Sequence, residues 1–209
     1  MTEAIFGLVG VCVGAFLQWV HAEWSARKER ERGARYLAIR VVCLLDKYVE
    51  GCAAVVDDDG LSYGQRDKDG YLQPQVAAPS APTFPEDLDW RSIDHALMYR
   101  ILSLPNEAEA AARKIDFVWE YVAGPPDYDE LFDERQDQYS RLGLAAFTLT
   151  QELRSKYSIP PQKFGEWNPV ERLSKAKEQL EKDREDRKKQ MVSLPNIADG
   201  LVTSGTSSR

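Results

Sequence analysis

The apolar positions of this chain follow different rhythms in different stretches. The first is an unbroken run. From Ala4 to Val20 no residue carries a charge, and only Gln18 is strongly polar. As a helix these residues span about 25 Å, at the short end of what crosses a hydrocarbon layer roughly 30 Å thick. Trp19 and Trp24 fall where an interfacial aromatic belt forms. Within the run, Gly7, Gly10, Gly14, Gln18, His21 and Ser25 recur at three and four residues. That spacing collects them on one helical stripe. Small residues let a second helix approach closely, and Gln or His side chains hydrogen-bond across such contacts. Gly7, Gly10, Gly14, Gln18 and His21 are therefore the candidate helix-packing residues, for a second copy of the chain or another membrane protein.

The rhythm then becomes amphipathic. Leu37, Val41, Leu44, Leu45, Tyr48, Cys52 and Val55 repeat at helical spacing and predict a core helix over 35–56, continuing from the first run. Residues 57–87 break the pattern with acidic residues, prolines and glycines and predict a linker or long loop. A helix over 88–104 is expected, capped by Asp87 or Asp89 and stopped by Pro105. A second follows over 106–122, capped by Asn106, with Ala108, Ala111, Ile115, Val118, Trp119 and Val122 on one face. A third long helix is expected over 127–157, with Leu142, Ala145, Ala146, Leu149, Leu153 and Tyr157 on one side. The stretch 159–191 holds a charged helix with little apolar content. Its acid-to-base pairs at i,i+4, such as Glu171–Lys175, predict a solvated terminal helix. The tail 192–209 has a disordered composition.

The predicted architecture is thus all-α. Residues 1–22 form a single transmembrane anchor and 23–56 a basic juxtamembrane segment with the first amphipathic helix. An acidic Pro/Gly loop occupies 57–87, a helical bundle 88–158, a linker and charged helix 159–191, and a tail 192–209. With 35–56 counted, the bundle has about four helices.

Charge orients this layout. Residues 1–20 contain no Lys or Arg, whereas 21–40 contain Arg27, Lys28, Arg30, Arg32, Arg35 and Arg40. The positive-inside rule then places the N-terminus outside and the C-terminal domain in the cytoplasm, as in a protein of a bacterial inner membrane. Arg27, Lys28, Arg30, Arg32 and Arg35 are candidate lipid-headgroup ligands, since cations beside an anionic leaflet attract it. A cleaved signal peptide fits less well, because Met1-Thr2-Glu3 is not a basic leader. A soluble bundle with a buried N-terminal helix is the other reading of the short apolar run. The net charge of −7 argues against nucleic acid as a partner.

Candidate chemistry changes the picture little. Cys12, Cys43 and Cys52 are too few and oddly placed for a disulfide framework. Cys43 and Cys52 would lie about 13 Å apart along one helix, beyond bonding reach. Neither Asp59-Gly60 nor Asp69-Gly70 fits a calcium loop, and both predict turns. The two histidines, His21 and His95, form no ligand cluster with the cysteines, and no nucleophile elbow or phosphate loop is present. The one metal alternative is Glu130, Asp133 and Asp137 on a helix face, with acidic spacing like that of helical enzymes that bind magnesium and pyrophosphate. No cofactor is implied. The expected function is a membrane-anchored scaffold or interaction module. The alternatives are a metal-dependent helical enzyme and the soluble bundle.

Overall fold

The computed structural model describes the backbone of residues 2–193 and the side chains of 16–190. Four helices account for most of it: α1 (Thr2–Val56), α2 (His95–Tyr121), α3 (Asp129–Tyr157) and α4 (Pro169–Ser193). A single 3-10 turn, Trp90–Ser92, precedes α2, and one isolated bridge pairs Ser62 with Gln65. No strand occurs among the described residues, so the chain is all-α.

α3 is the central helix and packs against each of the others, while α4 also touches α1. The amphipathic face predicted for α1 is the one it buries: Leu37, Val41, Leu45, Tyr48, Cys52 and Val55 are in the core, with Leu44 half-buried. Ala34, Ala38, Val42, Val49 and Ala53 are buried too. α1 therefore loses solvent over a wider arc than one stripe, because helices and the 57–94 segment cover different sides of it. Gly143 of α3 marks the tightest approach. A Cβ there would lie 2.7 Å from Leu173 Cδ1 and 3.0 Å from Cys52 Cβ, so glycine lets α3 touch both α1 and α4.

The expectations for α2 and α4 need correcting. The helices expected over 88–104 and 106–122 are one helix, α2, with Pro105 inside it. An internal proline removes one backbone hydrogen bond and costs about 3 kcal/mol. Ile101 and Leu104 before it, and Ala108, Ala111 and Ile115 after it, are all buried. Burying a large aliphatic side chain contributes about 1.5–3 kcal/mol, so the continuous apolar face offsets the break. The cap of α2 is Asp94, which accepts from the N–H groups of Ala96 and Leu97. Asp89 caps the 3-10 turn instead, and Asp87 pairs with Arg40 at 2.6 Å.

The charged helix is not merely solvated. Pro169, Leu173 and Leu180 of α4 are buried, and Ala176 packs against the core. Asn168 Oδ1 accepts from the Val170 and Glu171 N–H groups at the start of α4. Of the linker or long loop expected over 57–87, the structure has the long loop, and it is pinned across the bundle, as described below. Its two Asp-Gly sites are turns, with φ of +73° at Gly60 and +83° at Gly70. Of the expected tail, α4 continues through Ser193, and 194–209 lie outside the described residues.

Cys43 and Cys52 are both free thiols, Cys43 exposed and Cys52 buried. Burial pushes the Cys52 thiol up to about 12. Maleimide at neutral pH should label Cys43 rapidly and Cys52 only in denaturant, read by peptide mass mapping. Gly143→Ala should lower stability by about 1–3 kcal/mol through overpacking. In a Leu173→Ala background the same change should cost less or stabilise, since helix propensity then favours alanine by about 1 kcal/mol. Urea midpoints of the four variants check this.

Candidate functional site

Two regions stand apart from the core: the arm of α1 that projects beyond the bundle, and the polar contacts that hold the bundle and its long loop together. In the arm, residues 16–32 are exposed throughout, except that Glu23 is half-buried. Phe16, Leu17, Trp19, Val20 and Trp24 are large apolar side chains left uncovered. Among the described side chains the first buried residue of α1 is Ala34. Gln18 and His21 lie on this exposed arm. Gly7, Gly10 and Gly14 lie outside the residues whose side chains are described. So does most of the apolar run Ala4–Val20. Among the described residues no helix is long and apolar enough to cross a membrane.

The apolar part of the arm gives way to a basic collar. Lys28 Nζ sits 3.6 Å from the centroid of the Trp24 ring, a cation–π contact one turn apart. Arg27 and Arg30 both approach Glu23, at 3.3 and 3.6 Å, and Arg32 approaches Glu29 at 3.7 Å. Exposed pairs of this kind contribute about 0–1 kcal/mol. They leave the collar's cations able to exchange partners. Arg35 is exposed, one residue beyond the point where α1 enters the core.

The acidic face of α3 is engaged by neighbouring helices. Asp133 accepts from Arg187 at 2.7 Å and Asp137 from Arg184 at 3.1 Å, both arginines coming from α4. Glu134 meets Lys114 of α2 at 2.7 Å and also accepts from Gln138. Glu130 is exposed. The spacing of four on α3 against three on α4 is that of antiparallel helices paired by charge. Among the described residues no group of three or more His, Cys, Asp or Glu is placed to hold a metal ion. His95 opens α2, beside its cap.

The most buried charges were not singled out in the sequence. Asp58 sits just past the end of α1, with its side chain 1% exposed. It accepts from the N–H groups of Gly60, Gln75 and Val76, and from Arg135 Nη2 at 3.3 Å. Arg135 in turn donates to the Val76 carbonyl at 2.8 Å. One carboxylate thus ties both ends of the 60–76 loop to α3. Gly60 is required here: a Cβ would fall 2.4 Å from the Phe132 ring. A second arginine of α3, Arg154, makes a bidentate pair with Asp46 of α1 at 3.0 and 2.6 Å and donates from Nε to the Pro160 carbonyl. The sequence carries no signal for these. Asp58 is the second of three aspartates, and nothing in the chain distinguishes it from its neighbours.

Comparison with known protein families, with curated proteins and with solved structures gave no match at any of the three levels.

Removing one partner of a buried pair strands the other and costs about 3–5 kcal/mol. Asp58→Ala should therefore lower the urea midpoint by that equivalent and open the 60–76 loop to limited proteolysis. Asp59→Ala, one residue on and exposed, should leave both measurements near their starting values.

Proposed function

We propose that this chain is a membrane-tethered helical interaction module. The apolar start of α1 is its anchor and the bundle is a binding surface held at the cytoplasmic face. The observation that carries this is the arm itself. Five large apolar side chains in nine residues are uncovered on the part of α1 that precedes its buried face, and exposed apolar surface of this kind marks a contact with another phase or molecule. The collar that follows has the sign expected on the cytoplasmic side. The arm supports a bilayer as its cover better than a soluble core, since the side chains of 16–32 are exposed, Glu23 excepted.

Anchoring also gives the stripe of Gly7, Gly10, Gly14, Gln18 and His21 a role, as a contact for another membrane helix. The enzyme alternative has less support, because Asp133 and Asp137 already serve as partners for α4.

Fractionation of cells expressing the full chain with a tag at either end tests the reading. The chain should resist carbonate extraction, and protease added from outside should remove only the N-terminal tag. Recovery in the soluble fraction, or loss of the C-terminal tag, would overturn it. Gly10→Leu with Gly14→Leu should reduce in-membrane crosslinking severalfold. Unchanged crosslinking would remove the stripe from the proposal and leave the anchor in place.

A further inference from the structure

Where α1 enters the bundle, a cleft of 460 Å³ opens between helices distant in sequence. Arg30 and Arg35 line it from α1, Ser92 from the 3-10 turn, and Lys156 and Ser158 from the end of α3. Glu31 is the one acidic residue in the lining. The sequence places Arg30 and Arg35 in a generic basic collar, but it does not show that the fold brings Lys156 to them from more than a hundred residues away. We propose that this cleft is a binding site for the phosphodiester of an anionic lipid headgroup. The proposal rests on the membrane-anchored reading above.

Charge complementarity is the first argument. Three cations face a single carboxylate, and two serines stand beside them. The end of α3 would by itself repel an anion, since the C-terminus of a helix carries partial negative charge. Lys156 lies at that end and reverses its sign. Asp94, the other acid near Lys156, is occupied in capping α2. Arg30 is held only by an exposed pair with Glu23 at 3.6 Å and a bond to the Ala26 carbonyl. A phosphodiester can displace both.

Position is the second argument. Arg30 follows Trp24 by six residues, about 9 Å along the helix axis. Helical side chains lean toward the N-terminus, so Arg30 and Arg35 reach back toward the aromatic belt. A headgroup layer some 5–7 Å deep lies in that interval. Lys156 and the two serines then close the side of the site away from the bilayer. Such a site would fix the rotation of the bundle relative to the membrane surface, which a flexible basic tail cannot do.

The test uses the full chain, purified in a non-ionic detergent and offered phosphatidylglycerol or phosphatidylcholine, with bound lipid counted by native mass spectrometry. About one phosphatidylglycerol per chain should be retained in preference to phosphatidylcholine. Retention should fall roughly fivefold for each cation removed in Arg35→Gln and Lys156→Gln. Arg113→Gln with Lys177→Gln, an equal charge change on exposed faces of α2 and α4, should leave it unchanged. Equal loss in that control, or equal retention of both lipids, overturns the site. Displacement of the lipid by millimolar inorganic phosphate would make it a site for free phosphate, which also overturns the headgroup assignment. These failures would leave a carbonate-resistant chain and its anchor intact, whereas a chain absent from the membrane fraction removes both readings.

Discussion

The fold depends on a carboxylate taken out of water. Asp58 lies just past the end of α1 and would be costly to bury alone. Its oxygens instead collect three backbone N–H groups and a guanidinium. Each of those donors comes from a segment that needs fixing: the turn at Gly60, the returning part of the loop at 75–76, and α3. The loop also lays Val76, Ala81 and Phe84 against the core, and the Asp58 contacts fix where its first half crosses the bundle. Arg154 with Asp46 does the same work at the other end of α3, where it also receives the chain leaving the helix at Pro160. Two buried arginines of α3, one paired with Asp46 of α1 and the other with Asp58 just past its end, set the register of α1 against α3 in a way that leucine packing alone leaves loose.

That central pair of helices explains the rest of the arrangement. α2 lays its apolar face on α3 and tolerates Pro105 because that face is continuous. α4 adds a thin apolar seam, Leu173, Ala176 and Leu180, and then extends it with arginines that meet the acids of α3. The same acids that resemble a metal-binding face in isolation act here as the partner surface for a basic helix. Carboxylates at helical spacing carry no label of their own. Their neighbours decide whether they bind a cation from solution or one from the chain.

Much of this was legible in the sequence and some was not. The core face of α1 was readable because Leu37, Val41, Leu45, Tyr48, Cys52 and Val55 obey one period. The long α3 was readable for the same reason. α2 was misread at Pro105, where a local rule met a tertiary interface that outweighed it. α4 was misread because three apolar residues among many charges look like a solvated helix until a partner is present. The Asp58 hub was invisible, since its burial depends on the loop folding back at 75–76 and on Arg135, 77 positions away. Of the candidate site, the basic collar was plain from charge, but the contribution of Lys156 required the fold.

α1 is a single helix from Thr2 to Val56, without a break at Gly33. It therefore has no swivel between the arm and the core. At 100° per residue, Gln18 and His21 point roughly opposite to the face carrying Leu37, Val41 and Leu45. The phase between the two faces is set by the number of residues separating them, and one inserted residue would turn it by about 100°. Whatever grips the arm, a rotation applied there is delivered as torque to the bundle. The helix acts as a drive shaft, and its length in residues sets the angle at which the bundle is presented.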